Sequence, residues 1–121
     1  MSAFDEIEEL PPLIIWQGVI GRVVDGERLT LGLIELDPDC TIREHSHENE
    51  QVGILLRGSM TFRIGDESRE LGPGGAWSIP ANTPHEAVTG PEGAIVIEAF
   101  APVRADWAGL ERLEPREPLW P

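Results

Sequence analysis

His45, His47, Gln51 and His85 have the side chains and the spacing to hold one metal ion, and they include all three histidines of the chain. Alternate residues of a β-strand point to the same face. His45 and His47 are therefore expected to present their imidazoles side by side, with Gln51 on the returning strand and His85 arriving from another hairpin. Three imidazoles and one amide carry no charge of their own. Imidazole nitrogen suits borderline transition ions, whereas Mg and Ca prefer oxygen cages. The expected cofactor is one divalent transition metal, Zn, Ni, Fe, Mn or Cu, acting as a Lewis acid on an oxygen that fills an open position.

Such a set needs strands to position it, and the chain reads as short strands separated by turns. Turn residues fall at Asp25-Gly26, Asp37-Pro38-Asp39, Gly65-Asp66, Gly72 to Gly75 and Gly90 to Gly93. Between them lie Leu29 to Leu36, Val52 to Leu56, Ser59 to Ile64, Ala76 to Ile79, His85 to Thr89 and Ala94 to Phe100, preceded by an apolar edge segment, Leu13 to Trp16. Met60, Phe62 and Ile64 alternate with Ser59, Thr61 and Arg63, the period of a half-buried strand. The pattern predicts an all-β fold, with no more than a turn of helix within Ala105 to Leu113. If Gln51 and His85 face inward, parity sends Gly53, Leu55, Ala87 and Thr89 inward too, as small or apolar walls around a small-molecule pocket. Arg43 shares the parity of His45. It faces either the same cavity or solvent, and Arg57 and Arg63 are open to the same two readings.

The 121 residues suit one domain with a real core. The charge of -13, from 22 acidic residues against 9 basic ones, repels nucleic acid and anionic membranes. An arginine inside a pocket of so acidic a chain has a particular anion to meet. The single Cys40 can form no internal disulfide, and no apolar run is long enough for a leader or a membrane span, so a cytoplasmic protein is the expectation.

The residues around the four ligands read His45-x-His47-x3-Gln51-x6-Gly58 and Gly74-x5-Pro80-x-Asn82-x2-His85-x3-Thr89. Both halves resemble the paired motifs of the cupin superfamily. There the first motif usually carries Glu at the position of Gln51, and the second usually has Gly at that of Asn82 and Asn at that of Thr89. Gln for Glu keeps an oxygen ligand and removes a charge. The resemblance implies a small double-stranded β-helix, the cupin jelly-roll barrel, over residues 13–107, with a flexible acidic arm (1–12) before it and a tail (108–121) after it. It also implies a homodimer, since the apolar edge at Leu13 to Trp16 invites pairing and closed two-fold symmetry is the commonest answer.

A further stretch, Glu98-Ala99-Phe100-Ala101-Pro102-Val103-Arg104-Ala105-Asp106-Trp107, resembles the ending of the small pectin- and alginate-degradation cupins that linearise 4,5-unsaturated uronates. The likeness implies that Glu98 takes the place of their catalytic Asp, Phe100 that of their pocket aromatic, and Arg104 that of their substrate-contacting arginine. The implied substrate is a small carboxylate-bearing sugar derivative. Glu98 would shuttle the proton for protonation of the double bond, hydration and ring opening. Two other readings stay open: a metal-dependent binding or sensor module without turnover, and a cupin isomerase or dioxygenase acting on another small acid. The extra methylene of Glu98 relative to Asp shifts its carboxylate by a distance that matters for proton transfer.

Overall fold

The computed structural model describes residues 2–120. Its strands are β1 (Leu13–Trp16), β2 (Val19–Asp25), β3 (Thr30–Leu36), β4 (Thr41–His45), β5 (Glu50–Ile64), β6 (Glu67–Leu71), β7 (Ala76–Ile79) and β8 (His85–Ala101). The sheet runs β1-β2-β3-β8-β5-β6, with β4 paired to β8 and β7 to β5. Every pairing is antiparallel. This is the expected all-β double-stranded β-helix.

Two long strands organise the barrel. β5 and β8 pair from Glu50↔Ala101 to Ile64↔His85, and β3 and β4 then pair with different halves of β8. The sequence reading divides each of these strands in two and places a turn at Gly90 to Gly93. The structure instead carries the ladder through, with register shifts at Leu55/Arg57 and Gly58/Met60. Gly58 and Gly93 make this possible: both adopt positive φ, and a Cβ on Gly58 would lie 2.0 Å from the Gly93 carbonyl oxygen. A bulge bends and twists a strand without ending it.

β2 and β6 are absent from the sequence reading. In β2 the apolar residues come as pairs around a fully buried arginine, Arg22, which masks the alternation. β6 is a mostly exposed, charged edge strand whose place depends on pairing with β5. The apolar core gathers Leu13, Val19, Ile34, Leu55, Met60, Phe62, Ile79 and Val96.

The chain beyond the barrel is bonded to it. The Ile14 amide donates to the Glu111 carbonyl and the Leu113 amide to that of Pro12, so the outer edge of β1, on which the expected dimer rests, is already paired within the chain. Further on, buried Arg22 donates through Nη1 to Glu35 Oε2 at 2.5 Å and through Nη2 to the carbonyls of Arg116 and Glu117. Glu35 Oε2 also accepts from the Leu119 amide, and Arg57 Nη1 donates to the Leu119 carbonyl. Arg57 thus meets the tail and does not line the cavity of the three histidines.

Candidate metal centre and its cavity

The three imidazoles converge at one end of the barrel. One ring nitrogen from each of His45, His47 and His85 lies within 4.8 Å of the others. His45 ends β4, opposite His85 at the start of β8. His47 falls just past β4, so two alternate strand positions are not what brings it in. The loop does that, through the Asn82 amide donating to the His47 carbonyl and through buried Asn49, whose amide donates to the carbonyls of Pro102 and Val103. Asn82 holds φ 61°, a left-handed conformation that Asn tolerates better than most residues, which accounts for Asn where the cupin motif usually has Gly.

Each Nδ1 faces a backbone carbonyl two residues away: Arg43 for His45 at 2.7 Å, Asn49 for His47 at 2.9 Å and Thr83 for His85 at 2.8 Å. A carbonyl only accepts, so Nδ1 carries the hydrogen and Nε2 keeps its lone pair. All three rings are therefore held in the tautomer that ligates through Nε2. His85 Nε2 is buried with no hydrogen-bond partner, and His47 Nε2 stands 3.0 Å from Gln51 Oε1. Lone pairs facing one another in a buried site are what a shared cation satisfies, so the four residues fit a divalent metal. The set has the donor chemistry of transition-metal rather than alkaline-earth sites.

Burial, the largest effect, holds His85 down to about 4, reinforced by the positive charge of Arg104 and by the other two histidines. Burial also lowers His47. A free histidine titrates near 6.5. Between that value and about 4 the unfolded chain binds a proton that folded His85 refuses, so the metal-free protein should lose stability as pH falls through this window, by about 3 kcal/mol from this group. Thermal melts in chelator at stepped pH check this: the loss should be smaller in His85→Phe, and equal slopes would contradict it.

Glu98 is buried in the wall of the same cavity. Its Oε2 accepts hydrogen bonds from Gln51 Nε2 and from Trp77 Nε1, the latter at 2.9 Å. Burial pushes its carboxyl upward despite these donors and the charge of Arg104. Phe100, also buried, lies with its ring centroid 6.0 Å from that of His47. The Arg104 guanidinium sits 4.9 Å from the Phe100 centroid and 4.2 Å from that of Trp107. Its Nε and Nη2 grip Asp106, whose carboxyl the fork holds below the usual range. This leaves the Nη1 end of the guanidinium outside that grip.

Some expected walls lie elsewhere. Ala87 lines the cavity, but Leu55 belongs to the core and the Thr89 hydroxyl bonds the Asp37 carbonyl and the Cys40 amide. Gly53 lies under the Trp77 indole. Arg43 is exposed, because a register shift between Ile42 and His45 breaks the parity on which it depends, and Ile42 lines the cavity in its place. Arg63 is tied to Glu44 and Glu86. No pattern in residue order marks Trp16, which packs on His45, or Asn49, which bonds the Pro102 carbonyl, as part of the site. Trp77 had one signal, its alternation with apolar Ile79, but its hydrogen bond to Glu98 depends on strand register.

An antiparallel double-stranded β-helix with three histidines at one end defines a class. Residues 32–100 match the cupin domain family, and the chain belongs to it. It is 31% identical over 87 residues to the dimethylsulfoniopropionate lyase DddW of Ruegeria pomeroyi, covering 71% of this chain and 57% of that protein. It is 34% identical over 64 residues to the pectin degradation protein KdgF of Dickeya dadantii, covering 52% and 58%. The chain thus spans just over half the length of both relatives. Among solved structures, that of KdgF from Halomonas sp. superposes with a TM-score of 0.79 at 26% identity, covering 88% of this chain and 98% of that one.

Proposed function

We propose that the protein is a metal-dependent cupin enzyme that opens and linearises small 4,5-unsaturated uronates. The observation that carries this reading is Glu98, a buried carboxyl in the same cavity as the three imidazoles. A carboxyl raised by burial is suited to proton transfer, a step that a module which only binds an anionic ligand does not perform. The likeness to the KdgF proteins supports the choice of substrate class.

A divalent ion held by His45, His47, Gln51 and His85 would supply a Lewis acid against negative charge developing on substrate oxygen. The chain's own residues do the rest. The free edge of Arg104 orients the substrate carboxylate, with the guanidinium kept in place by Asp106 and by the Phe100 and Trp107 rings. Phe100 packs against the sugar face. Glu98 gives its proton to the double-bond carbon, water adds at the neighbouring ring carbon, the hemiketal opens, and the proton returns to the Glu98 carboxylate from the added water.

The test incubates metal-loaded protein with unsaturated uronates from pectin and alginate digestion and follows the ultraviolet absorbance of the conjugated double bond. Loss of absorbance is the expected result. No loss on any such uronate overturns the proposal, and cleavage of dimethylsulfoniopropionate by the same preparation would move the reading to the lyase relative. Arg104→Ala should raise KM by about tenfold with a smaller change in kcat, because the contact is made in the ground state as well as the transition state. Steady-state kinetics showing kcat alone reduced would contradict that role.

A further inference from the structure

Gln51 can face the metal through its amide in only one of two flips, and the residues behind it decide which. Its Nε2 donates to Glu98 Oε2, which leaves Oε1 turned toward His47 Nε2 at 3.0 Å. In the opposite flip Oε1 would confront the buried carboxylate, and the amide hydrogens would point at the imidazole lone pairs and at any cation between them. Glu98 is fixed in its turn: the same Oε2 accepts from Trp77 Nε1, and the indole occupies the space over Gly53, where a Cβ would come within 2.7 Å of the ring. One oxygen of the carboxyl is thus occupied by two donors.

We propose that Glu98, held by Trp77, is a positioning residue of the metal centre: it locks the Gln51 amide with Oε1 toward the ion. The Gln at position 51 and the Glu at position 98 then form a matched pair. A Glu at position 51, as in the usual cupin motif, would set two carboxylates against each other in a buried site, which like charges disfavour. The inference rests on the reading that His45, His47, Gln51 and His85 hold a metal, and it adds a role to Glu98 that is separate from proton transfer.

The experiment measures Zn and Ni affinity of the whole chain by competition with a chromophoric chelator, alongside thermal melting. Glu98→Gln retains an acceptor for both donors and should bind within about threefold of the wild type, whereas Glu98→Leu removes it and should bind about 10–100-fold more weakly, the usual effect of losing a group that orients a ligand. A general role in packing would not distinguish these two variants in that order. Equal affinity of Glu98→Leu and wild type would overturn the proposal. Should Glu98→Leu not fold, the Gln51 side-chain amide in a proton–nitrogen spectrum of the wild type, assigned by its loss in Gln51→Leu, decides: slow exchange with solvent is expected, and fast exchange overturns the lock. Failure of the metal reading itself looks different, because the wild type would then compete no better than His45→Ala.

Discussion

Glu98→Gln is expected to lower turnover of an unsaturated uronate by about 10²–10⁴-fold, the usual range for removing a general acid or base. Metal content should stay at the wild-type level. The expected division follows from the two oxygens of Glu98. Oε2 is engaged by Gln51 and Trp77, and a glutamine carbonyl can accept both bonds. What glutamine cannot do is exchange a proton with a carbon or a water. Single-turnover measurement of absorbance loss, with metal analysis of the same preparation, checks both halves. Full activity in the variant would remove Glu98 from the chemistry, and loss of metal together with activity would show that a glutamine carbonyl does not replace the carboxylate as the acceptor for Gln51 and Trp77.

Glu35→Ala should destabilise the fold by about 3–5 kcal/mol, the cost of leaving a buried charge without its partner. Arg22 is 1% exposed, and its Nε already lacks a hydrogen-bond partner, so Glu35 is the only carboxylate that answers its charge among the described residues. The tail loses its anchor as well, because the Leu119 amide donates to the same oxygen. For a chain of this size the melting temperature should fall by about 10–20 °C. The double variant Arg22→Met/Glu35→Leu should recover most of that loss, since replacing a whole buried pair by apolar groups is often neutral. Scanning calorimetry of the three proteins makes the comparison, and a single variant that melts with the wild type would show that water reaches the pair. Neither Arg22 nor Glu35 lines the cavity of the three histidines, which should bind metal as before.

Several features were legible from residue order because they are local. The four candidate metal ligands stand out by type and spacing, and the alternation from Ser59 to Ile64 places a half-buried strand within β5. The stretch from Glu98 to Arg104 puts three side chains on alternating or nearby positions at the end of β8, and all three line the cavity. Of the walls expected from inward parity, Leu55, Ala87 and Thr89 are buried, but only Ala87 lines the cavity.

Other features depend on partners far along the chain, and no local pattern encodes them. Gly90 to Gly93 looks like a turn, yet close approach of Gly93 to Gly58 keeps β8 running, because a bulge consumes a residue where a hairpin would reverse the strand. The shift in β4 moved Arg43 to solvent, since one extra residue inverts which side chains face inward. The tail lies along β2 and β3 on a buried ion pair, through contacts that composition cannot reveal. The residue types thus specify which atoms can bind a metal or move a proton. Strand register, which only the assembled sheet sets, decides that Trp77 meets Glu98 and that Glu98 in turn orients Gln51.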